Sequence, residues 1–370
     1  VLKDRLLEHA VLVIENGVIK DILQMNPPDC AGCDVVDADG MLVMPGMIDI
    51  HSDAVEKEIE PRPDIRFPIE LALSQLERRL ASQGLTGVFH SLSFAGGDGV
   101  RDDRIAKSII VQIKQRPRSV IRNFVHLRYE ITNFESLPLV GELLQSGSVD
   151  LFSIMDHSPG QGQYQTMEDY AHYVRKTYRL PEEQIARIVE ERLTRRKMVS
   201  AETLTGIVHS AVEQRIPVAS HDDDTVAKIQ WARSAGVSIA EFPINMETAE
   251  QATAKKLFVL VGAPNIARGG SHNGNLSALD LIKAGFANIV CSDYYTASML
   301  YAVFKVAEAI HDLPEAVKMV TLNPAIATRK DKMFGSLEQG KQADLIIVGS
   351  CGELPVVHKT FVNGKLVYSG

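Results

Sequence analysis

Pro45-Gly46-Met47-Ile48-Asp49-Ile50-His51-Ser52-Asp53 is the stretch whose reading decides the fold. It closes a run, Met41 to Ile50, that reads as one buried strand. Residues two apart on a strand point to the same face. His51 and Asp53 are therefore expected to project together from its C-terminal end. A nitrogen and a hard oxygen converging there suit a divalent cation such as zinc or manganese. A strand followed by a polar turn would leave the same residues, so the pair needs support from the rest of the chain.

Working outward, strands alternate with helices over roughly 45–334. Thr86–Leu92 reads as the second strand, and the third lies within Val120–Glu130. Val149–Met155, Pro217–Ser220, Ser238–Glu241, Lys256–Val261 and Asn288–Cys291 complete eight. Helical stretches lie between most of them, such as Ile69 to Gln83, and Ala297 to Ile310 follows the last. Repeated βα units with buried apolar strands imply a parallel sheet. Eight of them fit an α/β fold closed as a (β/α)8 TIM-like barrel, about 250 residues long before insertions. An open doubly wound sheet should show a Gly-rich phosphate fingerprint after its first strand, and none stands here.

The two ends read differently. Val11–Ile14 and Val18–Ile22 flank a tight turn at Glu15-Asn16-Gly17. Near the other end Ala343–Val348 is strand-like, and Lys359–Val362 with Lys365–Tyr368 form a hairpin about Asn363-Gly364. The expectation is a β-sandwich domain from residues 1–44 and 335–370, beside a barrel domain over 45–334. A helical, charged insertion interrupts the barrel at about 167–214, with Arg175, Lys176, Arg179, Arg187, Arg192, Arg195, Arg196 and Lys197. Solvated helix faces are the plainer reading. A lid or subunit contact near the active face is the sharper one.

Composition bounds the function. The 370 residues are 45% hydrophobic and 23% charged, an ordinary enzyme-like balance. A net charge of −8 argues against a general nucleic-acid binder. It leaves room for an anionic substrate, because bound metals and a few arginines reverse the sign locally. No apolar run approaches a membrane span and no secretory signal precedes the fold, so a cytoplasmic chain without a membrane partner is expected. Four cysteines suggest no disulfide framework. Cys30-Ala-Gly-Cys33 lacks a second ligand pair and reads as incidental rather than as a zinc or redox site.

In such a barrel the chemistry sits at the C-terminal ends of the strands. Those ends carry His51 and Asp53, Arg128-Tyr-Glu130, Asp156-His157, His221-Asp222-Asp223-Asp224, Glu241-Phe242-Pro243 and Ser292-Asp293, and strand seven runs into Gly262-Ala-Pro-Asn265. Each alone has a dull explanation; Asp222 to Asp224 could simply cap the next helix. Together they supply about the number of ligands that two metals sharing a carboxylate need.

This combination resembles the amidohydrolase superfamily: "PGMIDIHSD" at strand one, His at two later strand ends, Asp at strand eight, and a tail "GSLEQGKQADLIIV…TFVNGKLVY" like that family's split sandwich. The superfamily usually has His-x-His at strand one. The His51-x-Asp53 variant, with "IDIHSDAVEKEIEPRP", "HLRYEI", "IMDHSPGQ", "ASHDDDT", "IAEFP", "GAPNIARGGSHNGN" and "SDYYTASML", resembles its PhnM-type subfamily. These are the α-D-ribose 1-methylphosphonate 5-triphosphate diphosphatases of the carbon–phosphorus lyase pathway. The resemblance spans nearly the whole chain, although positions such as Ala54-Val55 and Glu58-Ile59 depart from it.

The resemblance implies a metal-dependent hydrolase of phosphonate metabolism, acting on a phosphorus-containing anhydride. It would cleave the sugar triphosphate to the 5-phosphate and pyrophosphate by attack of metal-bound hydroxide. The implied ligands are His51, Asp53, Glu130, His157, His221 and Asp293, holding one or two zinc ions, with manganese or iron as alternatives. Glu130 would take the bridging place of a modified lysine, and Asp293 would be the general base. The strand count puts Glu130, His157 and His221 on strands three, four and five, one earlier than the superfamily pattern. Arg268, Ser271, His272 and Asn273 in the run Arg268–Asn275 offer phosphate donors, with Lys57 and Arg62 as weaker candidates. The implied partners are a small anionic sugar triphosphate and further copies of the chain, a homo-oligomer. A cyclic-amide or N-acetyl hydrolase is the alternative enzyme, and a barrel that has lost catalysis is the non-enzymatic one.

Overall fold

The structure is a computed structural model that describes residues 1–24, 32–97, 99–116, 118–178, 181–270 and 276–370. In chain order the strands and helices are β1 (Ala10–Glu15), β2 (Val18–Gln24), β3 (Leu42–Pro45), β4 (Met47–Ser52), α1 (Ala54–Ile59), α2 (Ile69–Ser82), β5 (Leu85–Phe94), α3 (Asp103–Gln115), β6 (Arg122–Glu130), α4 (Leu137–Gln145) and β7 (Leu151–Met155). There follow α5 (Met167–Tyr178), α6 (Glu182–Lys197), α7 (Ala201–Glu213), β8 (Val218–His221), α8 (Val226–Ala235), β9 (Ile239–Glu241), α9 (Met246–Ala254), β10 (Phe258–Gly262), α10 (Ala263–Arg268), α11 (Ala278–Lys283) and β11 (Ile289–Cys291). The chain ends with α12 (Ser298–Ile310), α13 (Leu313–Lys318), α14 (Leu322–Ala327), β12 (Leu345–Cys351), β13 (Leu354–Val362) and β14 (Lys365–Ser369).

Strands β4 to β11 form one eight-stranded sheet in chain order. Neighbours with a recorded register run parallel. A parallel bridge between Ser52 and Asp293 joins the exit of the last strand to that of the first, as a (β/α)8 barrel requires. Every residue of β4, β5 and β7 is buried, the pattern of strands covered on both sides. Eight strands are present with Glu130 on the third, so the sequence count of strands stands. Where α8 alone links β8 to β9, three helices, α5 to α7, link β7 to β8. They are the expected insertion.

The expected single strand Met41–Ile50 is two. β3 pairs antiparallel with β12 in the sheet β14-β13-β12-β3, whereas β4 opens the parallel sheet. Gly46 separates them. A Cβ there would lie 2.2 Å from Thr86 Cγ2, so the chain changes sheets at a residue without a side chain. Apolarity runs unbroken through both strands, which is why the sequence reads as one.

The two compact units of the chain are Val1–His90 with Gln115–Phe124 and Val261–Gly370, and Ser91–Lys114 with Val125–Leu260. In the first, the terminal hairpins meet through their turns. Asn16 and Gly17, and Asn363 and Gly364, all have positive φ, the mark of a type I′ turn. A Cβ on Gly17 would lie 2.8 Å from Asn363 O, and one on Gly364 would lie 2.9 Å from Ile14 Cγ2. Ile19 donates to Lys341 O and accepts from Gly340 N, each at 2.8 Å. Ile19, Leu337, Leu345, Ile347 and Phe361 form the shared core of the sandwich. Cys33 is disulfide-bonded, which departs from an incidental thiol, while Cys291 and Cys351 form no disulfide. Cys30 lies outside the described residues.

Candidate metal centre

In the first unit, Asp49 and His51 share one side of β4 and are both buried. Asp53 is not on the strand. It stands at the N-cap position of α1 with φ −85° and ψ 4° and makes no side-chain cap bond, so His51 and Asp53 are brought together by a turn rather than by a shared strand face. That turn is pinned by backbone. Asp293 N donates to His51 O at 2.9 Å, and Asp53 N donates to Asp293 O at 2.8 Å. His51, Asp53 and Asp293 are thus assembled before any side chain acts. Asp49 accepts from Ser292 N at 3.0 Å, from Ser292 Oγ at 2.5 Å and from His51 N at 3.4 Å. Burial pushes its carboxyl up to about 6 despite these bonds. Sequence reading passed over Asp49, although its alternation with His51 on β4 could have found it.

In the second unit, β6 places His126, Arg128 and Glu130 two apart and buried. Glu130 Oε2 lies 3.2 Å from His157 Nδ1 and accepts from His157 N at 3.3 Å. Thr132 Oγ1 donates to Glu130 Oε1 at 3.2 Å. Burial opposes ionisation of Glu130, but the hydrogen bond and charge of His157, with Arg192 behind them, hold it below the usual carboxylate range. An ionised carboxylate only accepts, so His157 Nδ1 is the donor, and in the neutral ring Nε2 carries the lone pair. His221 repeats the arrangement, with Nδ1 3.1 Å from Glu241 Oε2. Glu241 is fully buried. Burial raises its pKa, and the charge of His126, 3.5 Å away, then the His221 hydrogen bond outweigh that and lower it. Such carboxylate-held imidazoles are the usual outer support of metal ligands.

The two rings stand edge to face with centroids 5.3 Å apart. Asp222 Oδ2 lies 3.7 Å from each Nε2, and one atom of each of these three residues falls within 4.8 Å of the others. His157 Nε2 and Asp222 Oδ2 are buried and have no hydrogen-bond partner among the described residues. Two buried acceptors aimed at one point fit a cation, since leaving each unpartnered costs about 1–3 kcal/mol. Burial also pushes Asp222 up to about 7, and a cation is what would keep it ionised. Arg128 Nη2, 3.3 Å from His221 Nε2, approaches the same lone pair, so a cation held there would compete with this guanidinium. Asp222 is not a helix cap. Thr225 caps α8, Asp223 takes the Ser220 hydroxyl, and Asp224 pairs with Lys228 at 2.8 Å.

Three strand ends use one backbone device. Asp222, Phe242 and Asp293 follow β8, β9 and β11 with φ of 54°, 54° and 55°. Their N–H groups donate to Glu241 O, Leu260 O and His51 O. Left-handed non-glycine residues cost energy and gather at functional sites. Here each turns the chain out of its strand while keeping one ladder hydrogen bond.

The insertion is not merely solvated. Arg195 donates to Thr132 O at 2.8 Å and pairs with Glu135. Arg196 holds Asp156 at 2.6 Å, and Arg192 reaches Thr132 Oγ1 at 2.8 Å. Tyr164 brings the aromatic cluster Tyr164-Tyr170-Tyr173 to 6.4 Å from His157. Solvated faces therefore do not describe these three arginines, while Arg175 pairs with Glu182 at the surface.

Of the expected phosphate donors, Lys57 is exposed, 3.3 Å from Tyr294 O. Arg62 is exposed in the loop after α1, and Arg268 is exposed in the last turn of α10. Ser271, His272 and Asn273 lie outside the described residues. No helix among the described residues is long and apolar enough to cross a membrane.

A parallel eight-stranded sheet with imidazoles and carboxylates at its strand ends is the frame of a barrel hydrolase. Residues 146–367 match the Amidohydrolase family, and the chain belongs to that family and is a hydrolase. It is 34% identical over 357 residues to the alpha-D-ribose 1-methylphosphonate 5-triphosphate diphosphatase of Escherichia coli (strain K12), covering 92% of this chain and 94% of the relative. Among solved structures it is similar to the N-acetylglucosamine-6-phosphate deacetylase of Pasteurella multocida, with TM-score 0.67, 14% identity and coverage of 100% and 97%. It is also similar to the dihydropyrimidinase of Brevibacillus agri NCHU1002, with TM-score 0.64, 13% identity and coverage of 96% and 91%. Those two likenesses concern the fold.

Proposed function

We propose that this chain cleaves α-D-ribose 1-methylphosphonate 5-triphosphate to the 5-phosphate and pyrophosphate. The observation that carries this reading is the nearly full-length likeness to the E. coli diphosphatase. The proposed ligands of one or two divalent ions, zinc first and manganese or iron as alternatives, are His51, Asp53, Glu130, His157, His221 and Asp293. Asp222 joins them on the strength of its unpartnered oxygen. We also propose that residues 1–44 and 335–370 form a sandwich domain apart from the hydrolase barrel of 45–334.

When bound, the ion supplies charge neutralisation at phosphorus and a more acidic water. The chain does the rest. Asp293, fixed through its own N–H and C=O, accepts the proton of the attacking water and orients it. Glu130 and Glu241 keep His157 and His221 protonated on Nδ1, so both Nε2 lone pairs face inward. Arg268, Ser271, His272, Asn273, Lys57 and Arg62 are proposed to meet phosphate oxygens. Pyrophosphate leaves readily once its charge is met, so no separate general acid is needed.

Phosphorus NMR of metal-loaded protein with the sugar triphosphate tests the reading. Equimolar pyrophosphate and 5-phosphate are expected, with none after the metal is removed by a chelator. Protein that holds stoichiometric metal and releases nothing would overturn it, and turn attention to N-acetyl and cyclic-amide substrates.

A further inference from the structure

Helix α6 presents Ile185, Ile188, Val189 and Arg192 at i, i+3, i+4 and i+7, one face of a helix. The first three pack into the small core of the insertion with Tyr170, Val174, Tyr164 and Tyr173. Arg192 stands where that apolar stripe would continue inward. Its neighbours Arg195 and Arg196 each hold a carboxylate, Glu135 and Asp156. Arg192 has none within ion-pair distance among the described residues. It is steadied by two neutral hydroxyls instead. Its Nη1 donates to Thr132 Oγ1 at 2.8 Å, and it lies beside the buried Tyr170 hydroxyl. Thr132 Oγ1 in turn reaches Glu130, so the guanidinium stands two hydrogen bonds from the carboxylate that supports His157. Tying the insertion to the barrel is already done by Arg195 and Arg196. A half-buried guanidinium held by neutral groups keeps most of its fork free for an anion.

We propose that Arg192 is the anion-recognition residue of this site, a specificity determinant that takes phosphoryl oxygens of the substrate's polyphosphate arm beside the ends of β6 and β7. This rests on the diphosphatase reading for the identity of the arm. Phosphoryl oxygens take the remaining edge of the fork, while Thr132 holds Nη1. A carboxylate partner would have competed with the substrate for the same edge.

The test compares wild type, Arg192→Gln, Arg192→Lys and the surface control Arg175→Gln, all metal-loaded. Binding of inorganic triphosphate is measured by calorimetry, and steady-state kinetics are run on the sugar triphosphate. The loss of one charge-assisted hydrogen-bonding group predicts binding and KM weakened about 10- to 100-fold in Arg192→Gln. The effect on kcat should be smaller than that on KM. Arg192→Lys should recover part of the binding, and Arg175→Gln should match wild type. Circular dichroism checks the folds. Unchanged triphosphate binding in Arg192→Gln, or an equal loss in Arg175→Gln, overturns the proposal. If the glutamine variant loses its helices, the lysine variant decides, and wild-type affinity there overturns it. A wild type that binds triphosphate through Arg192 yet releases no pyrophosphate refutes the diphosphatase reading and not this one.

Discussion

The ends of β4 and β11 and the ends of β6 to β9 hold their candidate ligands by opposite means. At the first pair, main-chain bonds among His51, Asp53 and Asp293 set the geometry, and the side chains are left to the chemistry. At the second set, side chains hold side chains: Glu130 on His157, Glu241 on His221. Backbone-held ligands can change identity without moving. Side-chain-held ligands depend on partners that themselves sit buried and charged. The first region should therefore separate activity from stability under mutation, and the second should lose both together.

The largest effect is expected at Asp293. Asn tolerates the left-handed φ of 55°, so Asp293→Asn should keep its fold within about 1 kcal/mol while pyrophosphate release falls about 10²- to 10⁴-fold. Initial rates by phosphorus NMR and a urea melt check both halves. A large loss of stability would break the contrast.

Glu241→Ala should do the reverse. It leaves the buried His221 Nδ1–H without its acceptor and opens a cavity beside it, which together cost about 3–5 kcal/mol. Zinc affinity, read by equilibrium dialysis, should fall about 10- to 100-fold with the outer support gone. A variant as stable as wild type would mean that this hydrogen bond does not hold the ring.

The smallest effect sharpens the comparison with an imidazole away from the centre. His90 is buried like His221, but its Nε2 meets the neutral amide of Asn123 at 2.8 Å. Burial holds its pKa down at about 4, below the unfolded value of about 6.5. Between those values the unfolded chain binds a proton that the folded chain refuses. Its contribution is therefore full above pH 6.5 and is lost as pH falls toward 4, by about 3 kcal/mol. Urea melts from pH 7 to 4 should show this slope in wild type and a flatter one in His90→Gln. Parallel slopes would place the acid sensitivity elsewhere.

Much of the fold was legible because its signals are local. Eight apolar segments with helical spacers, and two Asn-Gly turns, carry their meaning within a few residues. The strand-end residues were legible too, since barrel chemistry confines polar groups to one end of each strand. Gly46 was not, because the clash that forces a glycine comes from Thr86 in another strand. Asp222 read as one of three interchangeable acids, and only packing left its oxygen without a donor while Asp223 and Asp224 found theirs. Arg192 read as one charge among eight in a solvated insertion.

The sequence by itself determined the alternation, the turns and the residue types at the strand ends, because periodicity and backbone preference act between near neighbours. Only the tertiary structure decided which of those residues face one another. Ser52 and Ser292 meet from 240 positions apart, and burial there turns a hydrogen bond or a missing partner into a difference of kilocalories. Such pairings are set by the packing of distant segments, so no local pattern announces them.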